Sequence, residues 1–294
     1  MDILDKGGTS DISSLASQAM TIRYSAVANL AIWLYEFSMT ADKEVRLVWP
    51  SRFTIIKLLF FANRYLPLFT ISANAYFLIL NDNEEEYLCK PALLFIGYMS
   101  FAGFFLAEAV LALRVYVIWQ ARRSIFILVL GTLFAKTGTS CAITYFYLTS
   151  TEMSPINLFR SGCECIFTRR IEWITMLLVF LFEIVILSLM IIAKRVHFKR
   201  SRSELVDILL KDGVLYCITI MAISLMNIFV VKFAPPVMSP FLIVTQGLLH
   251  NILCTRLLLR LRTADERRTS VLVSADLHIP MEATGSTSRA SSSQ

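Results

Sequence analysis

A chain of 294 residues that is 56% hydrophobic, with a mean hydropathy of +0.63, is too apolar for an ordinary soluble domain, where about 45–50% is usual. Its net charge of +6 does not point to nucleic acid, because the basic residues stand beside long apolar runs, where anionic lipid headgroups are the matching partner. Six cysteines in such a chain have to be read by their side of the membrane rather than by their number.

Residues 1–21 are polar, with Asp2, Asp5 and Asp11 against Lys6. They lack the apolar centre of a cleavable signal, so the first span, residues 22–41, is expected to be a retained anchor. The loop ADKEVRLVWPSR contains Pro50, which stops a helix running through it. The second span covers 53–80, with a kink expected at Pro67. After the acidic loop NDNEEEYLCK, the third span covers 91–119, with Pro91 suited to a first helical turn. QARRS turns the chain into the fourth span, 124–148. A longer polar loop, 149–170, holds Cys163 and Cys165, and the fifth span covers 171–193. The basic linker KRVHFKRSRSELVDILLKDG leads to the sixth span, 214–231, and the Pro-rich KFAPPVMSP to the seventh, 237–258. Each run is close to the ~20 residues that cross ~30 Å of hydrocarbon at 1.5 Å per residue. RLLLRLR (256–262) reads as a basic amphipathic continuation lying on the membrane surface, and the Ser/Thr-rich stretch 263–294 as a disordered tail.

The expected fold is therefore an all-α membrane protein, a seven-transmembrane-helix bundle over residues 22–262. Seven spans put the termini on opposite sides. Seventeen Lys and Arg fall in the loops and tail on the C-terminal side and six on the other. The positive-inside rule then places the N-terminus outside and the C-terminus in the cytoplasm, in the plasma membrane rather than an endomembrane.

The stretch 35–69 carries a resemblance. Tyr35 and Glu36, Asp42–Lys43–Glu44–Val45 with Trp49, Lys57–Leu58–Leu59–Phe60 and Asn63–Arg64–Tyr65 resemble the N-terminal signature of a fungal, mainly basidiomycete, family of membrane proteins. That segment is known only as a domain of unknown function. Leu113–Trp119 (LRVYVIW) is similar to a second stretch of the family and Arg256–Arg262 to a third, where the family often has Asn in place of Arg260. The resemblance implies seven spans and no particular activity.

Charged side chains inside spans are costly, about 2.5–3.5 kcal/mol each on insertion scales, and usually face the bundle interior with a partner. Glu36, Lys57, Arg64, Glu108, Arg114, Lys136 and Glu183 fall in or near spans. Counting residues to the cytoplasmic end puts Arg64, Glu108, Lys136 and Glu183 at roughly 15–18 Å depth. Two arrangements fit: a polar pocket or ion path, or structural pairs that lock helix packing. Sequential spans suggest Arg64 facing Glu108, with Lys136 left to Glu183.

By this topology Cys89, Cys163 and Cys165 lie outside. Their placement resembles the disulfide of G-protein-coupled receptors, which ties the outer end of the third helix to the following outer loop, and so implies a bridge from Cys89 to Cys163 or Cys165. Cys141, Cys217 and Cys254 fall inside spans as packing residues. Arg114 and Tyr116 resemble part of the receptor Asp-Arg-Tyr element, although Leu113 replaces the acid, which makes them candidates for cytoplasmic coupling. The alternative for Arg114 is to snorkel to the headgroups. Among His197, His250 and His278 only His250 lies in a span, as a packing residue. No metal-ligand set, phosphate loop or Gly-x-Ser-x-Gly element appears, so neither a cofactor nor enzymatic activity is expected. The basic run Arg267–Arg268 before Thr269–Ser270 offers a phosphorylation site.

These features point to a receptor-like protein of unknown ligand. Its expected partners are the lipid bilayer and a cytoplasmic signalling protein at the third cytoplasmic loop and tail, and no nucleic acid. A transporter or channel using the mid-membrane charges, and a purely structural membrane protein, are the other readings.

Overall fold

The computed structural model describes residues 7–80, 86–153, 162–163, 165–167, 171–198, 204–233 and 241–278. Seven long helices account for nearly all of them: α1 Gly7–Leu47, α2 Ile55–Ala75, α3 Glu86–Ile118, α4 Arg123–Thr149, α5 Glu172–Phe198, α6 Glu204–Phe233 and α7 Phe241–His278. A π-helical turn, Tyr76–Leu80, extends α2. Between α4 and α5 lies a two-stranded antiparallel ribbon, β1 Thr151–Met153 with β2 Cys165–Phe167, in the register Glu152 to Ile166. The ribbon is an addition to the all-helical expectation.

The helices pack as a closed ring in chain order, α1 against α2 and so on to α7, which returns to α1. α3 also touches α5 and α7, and α7 also touches α2, so these two helices lie closest to the centre. Six helices, α2 to α7, are long and apolar enough to cross a membrane, which makes this a multi-pass membrane protein. α1 is less apolar and is not one of the six, yet it packs along α2 and α7. Large apolar side chains cover the outside of the ring: Ile127, Leu215 and Met226 are each more than 60% exposed. A face of that kind suits lipid rather than water.

Local sequence sets several boundaries. Thr54 caps α2, its hydroxyl accepting the backbone N–H of Lys57 at 3.4 Å, which meets one of the unpaired donors of a first turn. α3 ends in a Schellman arrangement. Ala121 N–H reaches Tyr116 O at 3.1 Å and Gln120 N–H reaches Val117 O at 2.9 Å, with Gln120 and Ala121 both at positive φ, 53° and 58°. This is how the short QARRS segment reverses the chain. α3 begins at Glu86, so Pro91 lies inside it rather than in its first turn. Arg256–Arg262 does not lie on a membrane surface as an element of its own. It continues α7, because Leu257 and Leu259 are buried and Leu259 packs with Val48 and Phe60. α7 then runs on to His278, and α1 starts at Gly7 rather than near residue 22. Both polar stretches extend the helices beyond their apolar runs.

The largest apolar core lies toward the end of the ring where α3 meets α4. There Val110, Leu111, Val115, Leu133, Ile186, Met190, Cys217 and Ile220 interlock. The other end carries the ribbon and a disulfide, described next.

Candidate functional site

The four mid-span charges are all in the bundle, but not paired as the depth estimate suggests. Lys136 of α4 forms an ion pair with Glu108 of α3, both interior, with Glu108 fully buried. Lys136 also lies 5.8 Å from the ring centre of Phe182. Glu183 of α5, 1% exposed, is hydrogen-bonded by Ser224 of α6 at 2.9 Å rather than by Lys136. Gln246 of α7 donates to Ser224 at 2.7 Å, and Asn227 donates to Gln246 at 2.6 Å. A chain of polar groups thus crosses from α5 through α6 to α7.

Arg64 does not face Glu108. Its guanidinium pairs with Glu44 of α1, donates to Thr40 at 2.8 Å and to Phe37 O at 3.3 Å, and lies 4.8 Å over the Phe37 ring. The reason is the length of α1. The apolar run ends near residue 41, so Glu44 reads as a loop residue. The helix instead continues to Leu47 and carries Glu44 into the interior, where it is 2% exposed. Equal depth says nothing about which way each helix is rotated.

Around this pair the motif residues of 35–69 form one polar joint among α1, α2 and α7. Glu44 also accepts from the Tyr65 hydroxyl at 2.8 Å and from the Trp49 Nε1–H at 3.3 Å. Lys57 Nζ donates to the carbonyls of Trp49 and Ser51, both at 2.8 Å, closing the turn after α1. Asn63 donates to Asn251 O at 3.0 Å. Glu36 receives Arg256 of α7 in a two-pronged pair, both contacts 2.6 Å, the geometry in which guanidinium and carboxylate bind most firmly.

At the opposite end, Cys89 and Cys163 form a disulfide, with their Cα atoms 5.6 Å apart. The side chain of Cys165 lies outside the described ones, as do those of His197, Arg267, Arg268 and Thr269. Cys163 N–H also donates to Phe77 O at 2.8 Å. Its neighbour Gly162 has φ +96°, and a Cβ there would meet Leu78 O at 2.2 Å. Only glycine lets the loop lie against the π-helical end of α2.

Beneath this end lies a cavity of about 110 Å³ between α3, α4, α5 and α7. Its apolar lining includes Ile96, Phe101, Phe104 and Val179, and its polar lining includes Lys136, Thr137, Ser140, Thr144, Tyr147, Glu172 and Thr175. Lys136 stands at the inner limit and Glu172, the first residue of α5, at the outer one. Glu172 is 5% exposed. One of its oxygens accepts a long hydrogen bond from Thr144, 3.4 Å, and the other has no hydrogen-bond partner among the described residues. The hydroxyls of Thr137, Ser140 and Thr175 have none either. Buried polar atoms are rarely left so, and a mostly apolar concavity with a few converging polar groups is the common form of a small-molecule site.

The remaining candidates are less exposed, or more so, than the sequence suggested. Arg114 is 6% exposed and its guanidinium packs against Gly213 of α6, where an added Cβ would come within 2.9 Å of its carbon. It neither snorkels nor stands at the surface. Tyr116 is half-buried, 5.0 Å from Phe126 between ring centres. His250 is fully buried between Phe104 and Tyr216. Cys217 and Cys254 are buried, but Cys141 is on the exposed face of α4, not in packing.

Glu172, Ser140, Thr144 and Thr175 are the residues that sequence reasoning passes over. The signal for them was present: Lys136, Ser140 and Thr144 recur every fourth residue and so share one face of α4, and Glu172 sits one residue inside the expected fifth span.

Residues 24–69 match a family of unknown function (DUF6533). The match covers the second half of α1, the turn after it and most of α2, the segment whose polar side chains build the three-helix joint. No curated protein and no solved structure matches the chain.

Proposed function

We propose that this is a receptor-like membrane protein of the plasma membrane, with its N-terminus outside and its C-terminus in the cytoplasm. A small molecule enters from the disulfide end, occupies the cavity between α3, α4, α5 and α7, and biases the packing of the helices toward one of two arrangements. A cytoplasmic signalling protein reads the change at the α5–α6 linker and the extension of α7. The observation that carries this reading is the cavity itself: largely apolar, and lined by a carboxyl oxygen and three hydroxyls without partners among the described residues. The strongly basic α5–α6 linker supports the orientation, with Lys194 and Arg195 exposed where it begins. Residues 199–203 of the linker lie outside the described ones.

Two features favour this reading over transport. The interior on the inner side of Lys136 is filled by the apolar core. The other two cavities described, each about 20 Å³, are too small to continue a path. A structural role leaves the unpartnered groups of the cavity without a reason.

The test places an occupant in the site. In a Cys141→Ala, Cys165→Ala background, Thr175→Cys is modified in detergent with a small methanethiosulfonate, and hydrogen exchange is followed by mass spectrometry. The reading expects altered exchange at the inner ends of α5 and α6, far from the modified residue. A change confined to the residues around the cavity would contradict it.

A further inference from the structure

The geometry points to a small organic amine as the ligand of this cavity, its ammonium held by Glu172 and its slender apolar body lying along α4 toward Lys136. The inference rests on the reading of the cavity as a ligand site and adds the chemistry of what fills it.

Glu172 is buried at the outer limit of the cavity, with one oxygen unpartnered and the other holding only the 3.4 Å contact from Thr144. A buried carboxylate requires a partner that donates hydrogen bonds and, best, carries positive charge. Lys136, the basic residue that lines the same cavity, is committed to Glu108. Among the described residues no basic side chain forms an ion pair with Glu172. An acidic residue in a first helical turn suits the helix dipole. That accounts for its place in the chain, but not for its burial, its orientation into the cavity or its free oxygen.

The hydroxyls refine the picture. Ser140 is fully buried and Thr175 is 4% exposed, and neither hydroxyl bonds a carbonyl of the preceding helical turn, the usual fate of Ser and Thr in a helix. They stand as further acceptors for an ammonium, which has three donors in its primary form.

Size sets the rest. An engineered apolar cavity of about 150 Å³ accepts benzene. At about 110 Å³, this one takes a ligand of roughly four to five non-hydrogen atoms on the same scale. Its polar lining runs along α4 from Lys136 to Tyr147, roughly 16 Å of helix at 1.5 Å per residue. The cavity is therefore long and narrow, suited to an unbranched chain rather than a fused ring.

The experiment compares three probes of one chain length on the purified full-length protein: n-butylamine, 1-butanol and butanoate. Binding is read by calorimetry and by the rise in unfolding temperature that a native-state ligand produces. The amine is expected to bind saturably at one site, at least tenfold tighter than the alcohol, with the acid weakest. Glu172→Gln should reduce amine affinity at least tenfold and leave the alcohol unchanged, whereas Glu172→Asp should keep the preference for the amine. If the glutamine variant does not fold, the ranking of the three probes on the unaltered protein still decides. Equal or stronger binding of the alcohol, with Glu172→Gln silent, overturns the amine assignment and leaves the cavity as a ligand site. Saturable binding by none of the three overturns the amine assignment outright. Separately, altered exchange on tethering at Thr175→Cys is what still supports the receptor reading in that event.

Discussion

Lys136 shows how much one side chain can organise. It stands at the inner limit of the cavity, neutralises Glu108 and lies close enough to Glu183 to interact with it. Removing one member of a buried pair leaves the other charge without compensation, at a cost of about 3–5 kcal/mol, whereas replacing both by apolar groups is often close to neutral. Lys136→Met and Glu108→Gln should therefore each lower the unfolding temperature in detergent sharply. Lys136→Met with Glu108→Leu should recover much of the loss. Additive losses would mean that the two residues answer to different partners. The pairing itself was not legible from sequence. Both charges were recognisable as interior, since hydrocarbon tolerates neither alone, but helix rotation decides which carboxylate meets which cation. A run of apolar residues carries no information about rotation unless it is strongly one-sided.

At the scale of helices, α1 is the element whose place needs explaining. It is the one long helix not apolar enough by itself to count among the candidate spans, yet it closes the ring. Its attachment is largely polar: Glu44 to Arg64, Glu36 to Arg256 and Thr40 to Arg64. Arg64→Leu should strip Glu44 of its cation and weaken the hold of α1 on α2, again by about 3–5 kcal/mol for a buried site. Limited proteolysis would detect it as faster cleavage within the segment joining α1 to α2. The same rate in the variant and the unaltered protein would show that apolar contacts such as Trp33 with Ile71 and Leu248 suffice. The limits of α2 to α6 could be read to within a few residues in the membrane from apolar runs alone. The starts and ends of α1 and α7 could not, because there the helix outlasts the apolar run and is carried by polar and charged residues with good helix propensity, Glu, Lys and Arg among them. The ribbon was missed for a different reason: three-residue strands leave almost no periodic signal.

For the whole molecule, the two ends of the ring differ in kind. One is tied shut by polar joints and an apolar core, with the three motif stretches of the sequence gathered there: Glu36 to Tyr65, Leu113 to Trp119 and Arg256 to Arg262. The other holds the disulfide, the ribbon and the cavity. The resemblance concentrated attention on the first end, which explains the architecture. The unpartnered groups lie at the second, in hydroxyls and a carboxyl that match no motif and are conspicuous only when α4 and α5 bring them together. On the proposed function, the cavity opens to the outside and not to the cytoplasm. The direct measurement is the sidedness of Thr175→Cys labelling in a Cys141→Ala, Cys165→Ala background, using a membrane-impermeant methanethiosulfonate on sealed vesicles of both orientations. Modification in right-side-out vesicles, with protection in inside-out ones, is the predicted result. Modification from the cytoplasmic side, or from both, would contradict it.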